Sequence, residues 1–109
     1  MADESAIVIC HFRVKAGCED EIMKLFRDHD AVLRRLDLVT DEPGVVYRGA
    51  DAAGRPMLWK IFVWKNEAAA EAAHQHPDVA ELWERMEPLC EARDGTPSME
   101  FPHVQRTIL

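Results

Sequence analysis

Positive charge is scarce in this chain. Lys and Arg number 13 against 20 Asp and Glu, a formal charge of −7 over 109 residues. A surface that neutralises phosphates needs a basic excess, so nucleic acid is not an expected partner. Long apolar runs are missing too. No stretch approaches the roughly 20 residues of a membrane span. The start, Met1-Ala2-Asp3-Glu4-Ser5, is acidic where a secretory leader is basic. Neither membrane contact nor export is expected. Cysteine is sparse: Cys10, Cys18 and Cys90 are odd in number and are spaced neither as C-x-x-C nor as a zinc ladder. That argues against a disulfide framework and suits a reducing cytoplasm. There is no G-x-G-x-x-G, no P-loop and no nucleophile elbow. No cofactor and no metal is expected.

What remains is ordinary globular material, 48% apolar and 30% charged. That composition excludes intrinsic disorder. The length predicts one domain, residues 1–109, with a core only marginally large enough for a monomer.

The apolar pattern sets the elements. Residues 6–14, AIVICHFRV, read as a strand, with Val8, Cys10, Phe12 and Val14 on one face and His11 and Arg13 on the other. Residues 17–39 read as a helix. Acids crowd its first turn, Arg34 and Arg35 stand toward its end, and Ile22, Leu25, Phe26, Leu33 and Leu36 form its stripe. Residues 45–50 and 57–65 read as strands joined by a six-residue turn. In the second of these, Leu58, Lys60, Phe62 and Trp64 share one face, and Met57, Trp59, Ile61 and Val63 the other. Asn66 caps an alanine-rich helix that Pro77 interrupts, and residues 78–91 continue it, with Pro88 fraying the last turn. Residues 98–108 read as a last strand. Pro102 confines it to an edge or a bulge.

The order β-α-β-β-α-β predicts an α+β, ferredoxin-like fold with a four-stranded antiparallel sheet. Helices cover one sheet face. Ile7, Ile9, Met57, Trp59, Ile61 and Val63 are left on the other, and a second copy packed sheet to sheet would cover them. A homodimer is therefore expected.

The segments F-R-V-K-A-G (residues 12–17), E-P-G (42–44), V-W-K-N-E-A-A-A-E-A-A (63–73) and H-P-D (76–78) resemble the antibiotic-biosynthesis monooxygenase domain. That group is a branch of the dimeric α+β barrel superfamily, and the resemblance runs from about Ile7 to Ile108. It implies a homodimer whose sheets form a barrel, with a pocket between sheet and helices for a small apolar or aromatic ligand. Several such proteins oxygenate quinols or aromatic polyketides with dioxygen and neither metal nor flavin. Others degrade haem, and others catalyse unrelated steps. Trp64 falls at the pocket tryptophan of the polyketide oxygenases. Their asparagine four residues earlier is Lys60 here, and their tyrosine six residues later is Ala70. The strand asparagine of the haem-degrading branch is Cys10, and its helical tryptophan and histidine fall near Ala73 and Trp83.

The chemistry-bearing candidates follow. Lys60, Phe62 and Trp64 share the helix-facing side and suit a planar phenol or quinol, with Lys60 stabilising a phenolate. The alternative is that Trp64 is core and Lys60 snorkels to solvent. His29 lies on the helix stripe, as a general base or as a hydrogen-bonded core residue. Cys10 is a small hydrophobe on the same sheet side. Trp83 closes the pocket or merely packs. His74, close to His76, is a lid or surface position rather than a metal ligand. Set beside these residues, the resemblance implies a cofactor-independent monooxygenase for a quinol or aromatic polyketide-like substrate, with His29 and Lys60 as the candidate catalytic pair. The alternatives are an isomerase or lyase on the same barrel, or a non-enzymatic module that binds a small ligand.

Overall fold

Strict alternation builds the first strand. Val8, Cys10 and Phe12 are buried while Ile9, His11 and Arg13 are half-buried, and this fixes β1 (Ala6–Arg13). The computed structural model describes residues 6–109, so the acidic start, residues 1–5, lies outside the described residues.

Glu19, Asp20 and Glu21 open α1 (Glu19–Arg35), and Arg34 and Arg35 close it. The helix stops four residues short of the expected 39. Asp37 takes a left-handed conformation (φ 58°). Its N–H donates to the Arg34 carbonyl, and the Leu38 N–H donates to the Leu33 carbonyl, both at 3.0 Å. This paired closure normally uses glycine at the left-handed position; here aspartate fills it, and its carboxylate pairs with Lys65 at 2.5 Å. The freed chain then runs against the sheet, with Val39 bridged to Trp64. Leu38 and Val39 are apolar because they finish the sheet, and not because they extend the helix.

β2 (Val45–Ala50) and β3 (Pro56–Trp64) form the expected hairpin. The Asp51 carboxylate ties its turn, accepting from the N–H groups of Ala53 (2.9 Å) and Arg55 (3.0 Å). Asn66 caps α2 (Glu67–Gln75), its side chain accepting from the Ala69 N–H at 2.9 Å. Pro77 then begins α3 (Pro77–Met86), whose first turn is capped by the His76 ring. The expected continuation to 91 ends at Met86. Pro88 has no N–H to give and its ring crowds the preceding turn, so Glu87–Leu89 tightens into a 3-10 turn.

The expected last strand is reduced to β4 (Met99–Glu100) and β5 (His103–Val104), both paired antiparallel with β1. Phe101 and Pro102 part them. No bulge is involved, because His11↔Glu100 and Ile7↔Val104 keep one register. The edge position was expected; the brevity follows from the proline, which only accepts, from the Ile9 N–H at 3.0 Å. The sheet order is β2-β3-β1-β4, with β5 beside β1. The fold is α+β and ferredoxin-like. Its antiparallel sheet has five strands where four were expected, and within one chain it stays open.

All three helices lie on the face that carries Cys10, Phe12, Leu58, Lys60 and Phe62, and the core sits there. The other face holds half-buried Ile9, Trp59 and Ile61, with Val45 and Tyr47 exposed at its β2 edge. Among the described residues, no helix is long and apolar enough to cross a membrane.

Candidate functional site

The period of two along β3 leaves Lys60 no choice of side. It stands between Leu58 and Phe62 on the helix face, and it is only 3% exposed. It does not snorkel to solvent. Its Nζ lies 2.7 Å from His29 Nδ1 and donates to the Phe26 carbonyl at 3.3 Å. The same ammonium hangs over two rings, 5.2 Å from the centre of Phe62 and 5.6 Å from that of Phe26. No carboxylate pairs with it among the described residues. Asp30, whose charge it feels, is bound to Arg34 at 3.0 Å.

The stripe of α1 brings His29 to the same point, with Ile22, Phe26 and Leu33 above and below it. Its ring is buried, and Nε2 has no hydrogen-bond partner among the described residues. When Lys60 is charged it must donate to Nδ1, so the imidazole proton resides on Nε2. Trp64 Nε1 is a second buried N–H without an acceptor among the described residues. Leaving such a group unmatched costs about 1–3 kcal/mol. Among the described residues, the cluster thus holds a cation without a counter-ion beside the unmatched His29 nitrogen, with the unmatched Trp64 N–H on the far side of the Phe62 ring. Neutral and anionic oxygen atoms are the chemistry that would satisfy them.

Burial governs the proton equilibria. It pushes Lys60 down to about 8. It pushes His29 down to about 3, with the Lys60 charge acting in the same direction. It pushes the Cys10 thiol up to about 12, against a smaller opposing pull from Lys60. Cys10 faces Lys60 directly across the β1–β3 ladder and stays a neutral thiol.

Aromatic rings wall the pair. Phe62 meets His29 edge-on at 5.8 Å and Trp64 at 4.8 Å. From α3, Trp83 meets His29 at 5.3 Å, and Phe101 packs on Trp83 at 4.6 Å from the break in the edge strand. Six of the seven residues singled out in the sequence therefore converge: His29, Lys60, Phe62, Trp64, Trp83 and Cys10. His74 does not join them. It stands exposed in the last turn of α2, and among the described residues no hydrogen bond or ring contact links it to this cluster. Two participants escaped the sequence reading. Phe26 could have been found, since it lies three residues before His29 on the same helical face. Phe101 shares the sheet side of Cys10 by alternation, but the proline after it hides that pattern.

Two hollows open on the opposite side of the sheet. One, of about 510 Å³, is bounded by Ile9, His11, Trp59 and Glu100, and the other, of about 580 Å³, by Ile7, Glu42, Val63 and Arg106. In the first, His11 stacks on Trp59 at 4.9 Å and Arg13 pairs with Glu100 at 2.8 Å. Among the described residues, no three histidine, cysteine or carboxylate side chains gather closely enough to hold a metal ion.

No family model and no curated protein matches this chain. Solved structures do. An asparagine-to-alanine variant of SnoaB, a cofactor-independent oxygenase from Streptomyces nogalater, matches with a TM-score of 0.74 at 16% identity, over 97% of this chain and 96% of that one. A dimeric ferredoxin-like protein of unknown function from a Jannaschia species matches with a TM-score of 0.68 at 16% identity, over 94% and 99%. A Nitrosomonas europaea protein provisionally named an antibiotic biosynthesis monooxygenase matches with a TM-score of 0.66 at 12% identity, over 95% and 91%. The chain has the fold of the antibiotic-biosynthesis monooxygenase structures. At these identities the likeness is one of fold, and chemistry has to be argued from the side chains.

Proposed function

We propose that this chain is a cofactor-independent oxygenase acting on a planar hydroxyaromatic compound, a quinol or an aromatic polyketide-like molecule. One observation carries the proposal: Lys60 is a buried cation with no carboxylate beside it among the described residues, walled by aromatic rings and in contact with a histidine whose far nitrogen is unmatched among those residues. An aromatic hydroxyl that ionises here gains a counter-ion, and Phe62, Trp64 and Trp83 offer flat apolar walls for its ring. The phenolate is the electron-rich form that can pass one electron to dioxygen, so lowering its cost promotes the reaction. For an anthrone the balance is simple. The ring CH2 becomes C=O with one oxygen atom of dioxygen, and the other oxygen leaves as water with the two hydrogens. A second copy packed on the outer sheet face, covering Val45, Tyr47 and Trp59, would complete a homodimeric barrel like that of the resembled group. A reducing cytoplasm fits the three unpaired thiols.

Oxygen uptake over a panel of hydroquinones and anthrones tests this directly. Uptake with at least one of them, slowed about a hundredfold by Lys60→Met, is the expected result. No uptake with any member, alongside a tightly held ligand found by mass spectrometry, would favour a binding module instead. The Lys60–His29 contact also supports an isomerase or lyase, since it can move a proton without dioxygen. Turnover that persists under argon identifies that case. A monomeric mass by light scattering would sink the dimer.

A further inference from the structure

We propose that His29 and Lys60 form a two-residue proton relay, in which His29 Nε2 takes the hydroxyl proton of the bound aromatic while His29 Nδ1 passes its own proton to Lys60 Nζ. This deepens the hydroxyaromatic reading and rests on it. The geometry supplies both ends. Nδ1 lies 2.7 Å from Nζ, and Nε2, across the ring, is buried and has no partner among the described residues. Lys60 stands behind the imidazole, held also by the Phe26 carbonyl. It therefore acts through the ring rather than as the group that meets the hydroxyl.

The proton count closes. Before transfer, Lys60 is a neutral amine accepting from Nδ1–H, and Nε2 carries a lone pair. The substrate O–H bond breaks and an N–H bond forms at Nε2. The Nδ1–H bond breaks and an N–H bond forms at Nζ. The imidazole is neutral before and after, no electrons are transferred, and a phenolate is left beside a new ammonium. The base thus generates its own counter-ion, and Nε2–H is now a donor aimed at the anion.

The surroundings favour this route over a charged imidazole. Burial, the larger cause of the depressed His29 value, acts even when Lys60 is the neutral amine, so imidazolium is a poor intermediate. Burial holds Lys60 down to about 8, so a useful fraction is the free amine near neutral pH. The groups facing the pair do not compete. Cys10 from β1 is a neutral thiol, Asp30 and Arg34 of α1 pair with each other, and from α3 the Trp83 ring meets the imidazole.

The test begins without turnover. Nitrogen-15 NMR of the histidine rings in the resting wild-type protein reads the tautomer of His29 across pH 6 to 9, a range that brackets the value of about 8 for Lys60. The expected result is the Nε2–H form at the acid end, changing to Nδ1–H with a midpoint near pH 8, and no imidazolium signature. One fixed tautomer across the range, or an imidazolium that titrates near the ordinary histidine value, overturns the relay. The second arm is Lys60→Arg, which keeps a cation that never deprotonates. It should lock His29 as Nε2–H, retain aromatic binding, lower kcat about a hundredfold, and lose the rise in kcat that the relay predicts as pH climbs toward about 8 and Lys60 becomes the free amine. Wild-type turnover in Lys60→Arg overturns the relay and leaves the hydroxyaromatic reading standing. A wild-type protein with no oxygen uptake overturns that reading, while the tautomer measurement still judges the relay.

Discussion

Among the described residues two cationic side chains are buried, and they are treated in opposite ways. Arg93 is 5% exposed and Lys60 is 3% exposed. The Arg93 guanidinium meets Glu91 at 2.9 Å, Asp51 at 3.4 Å, and the carbonyls of Pro56 (2.9 Å) and Val14 (2.6 Å). It ties the exit loop to the end of β1 and to the hairpin turn, with each contact answered by an acceptor. Lys60 has an imidazole nitrogen and one carbonyl. The first arrangement is how a fold accommodates a buried charge. The second burdens the fold, and a group kept at the expense of stability points to function.

The comparison is sharpened first by Arg93→Met. It removes one guanidinium that serves Asp51, Glu91 and two carbonyls at once, and urea denaturation should register a loss of about 3 kcal/mol or more. Lys60→Met should instead strike activity, lowering kcat about a hundredfold, which corresponds to about 3 kcal/mol of barrier. A third effect is set by His29. Its folded value, about 3, lies below the ordinary 6.5. The unfolded chain therefore binds a proton in that window while the folded chain does not. Stability should fall as pH drops from about 6.5 toward 3, by up to about 1.4 kcal/mol per pH unit. His29→Leu should flatten the slope of urea midpoints over that range. The smallest effect belongs to Phe101→Leu. The ring is 40% exposed at the edge of the cluster, so stability should change by under about 1 kcal/mol, with a modest rise in KM for bulky aromatics.

Much of this was legible in the sequence, for identifiable reasons. Alternation along β1 and β3 placed Cys10, Lys60, Phe62 and Trp64 on one face, because strand parity admits no drift. The helical stripe placed His29 opposite them. Less legible were the element ends. Asp37 stops α1 in a conformation more usual for glycine, and a helix period carries no sign of that. Pro102 was correctly read as marking an edge, yet the pattern of residues 98–108 overstated how much of that edge pairs. His74 misled because a histidine beside a break looks functional, whereas its place on α2 turns it to solvent. The 2.7 Å contact between Lys60 and His29 joins residues 31 positions apart, and no local pattern encodes it.

The central claim is that Lys60 is kept for chemistry against the interest of the fold. The direct test is the unfolding free energy of Lys60→Met at pH 7 beside that of the wild type. Removing an uncompensated buried charge should raise stability by about 1–3 kcal/mol. The gain should shrink as pH rises from about 8 toward the ordinary lysine value of 10.5, because the folded protein then no longer buries a charge that the unfolded chain carries in water. A loss on the scale expected for Arg93→Met would contradict the claim and make Lys60 a second structural cation.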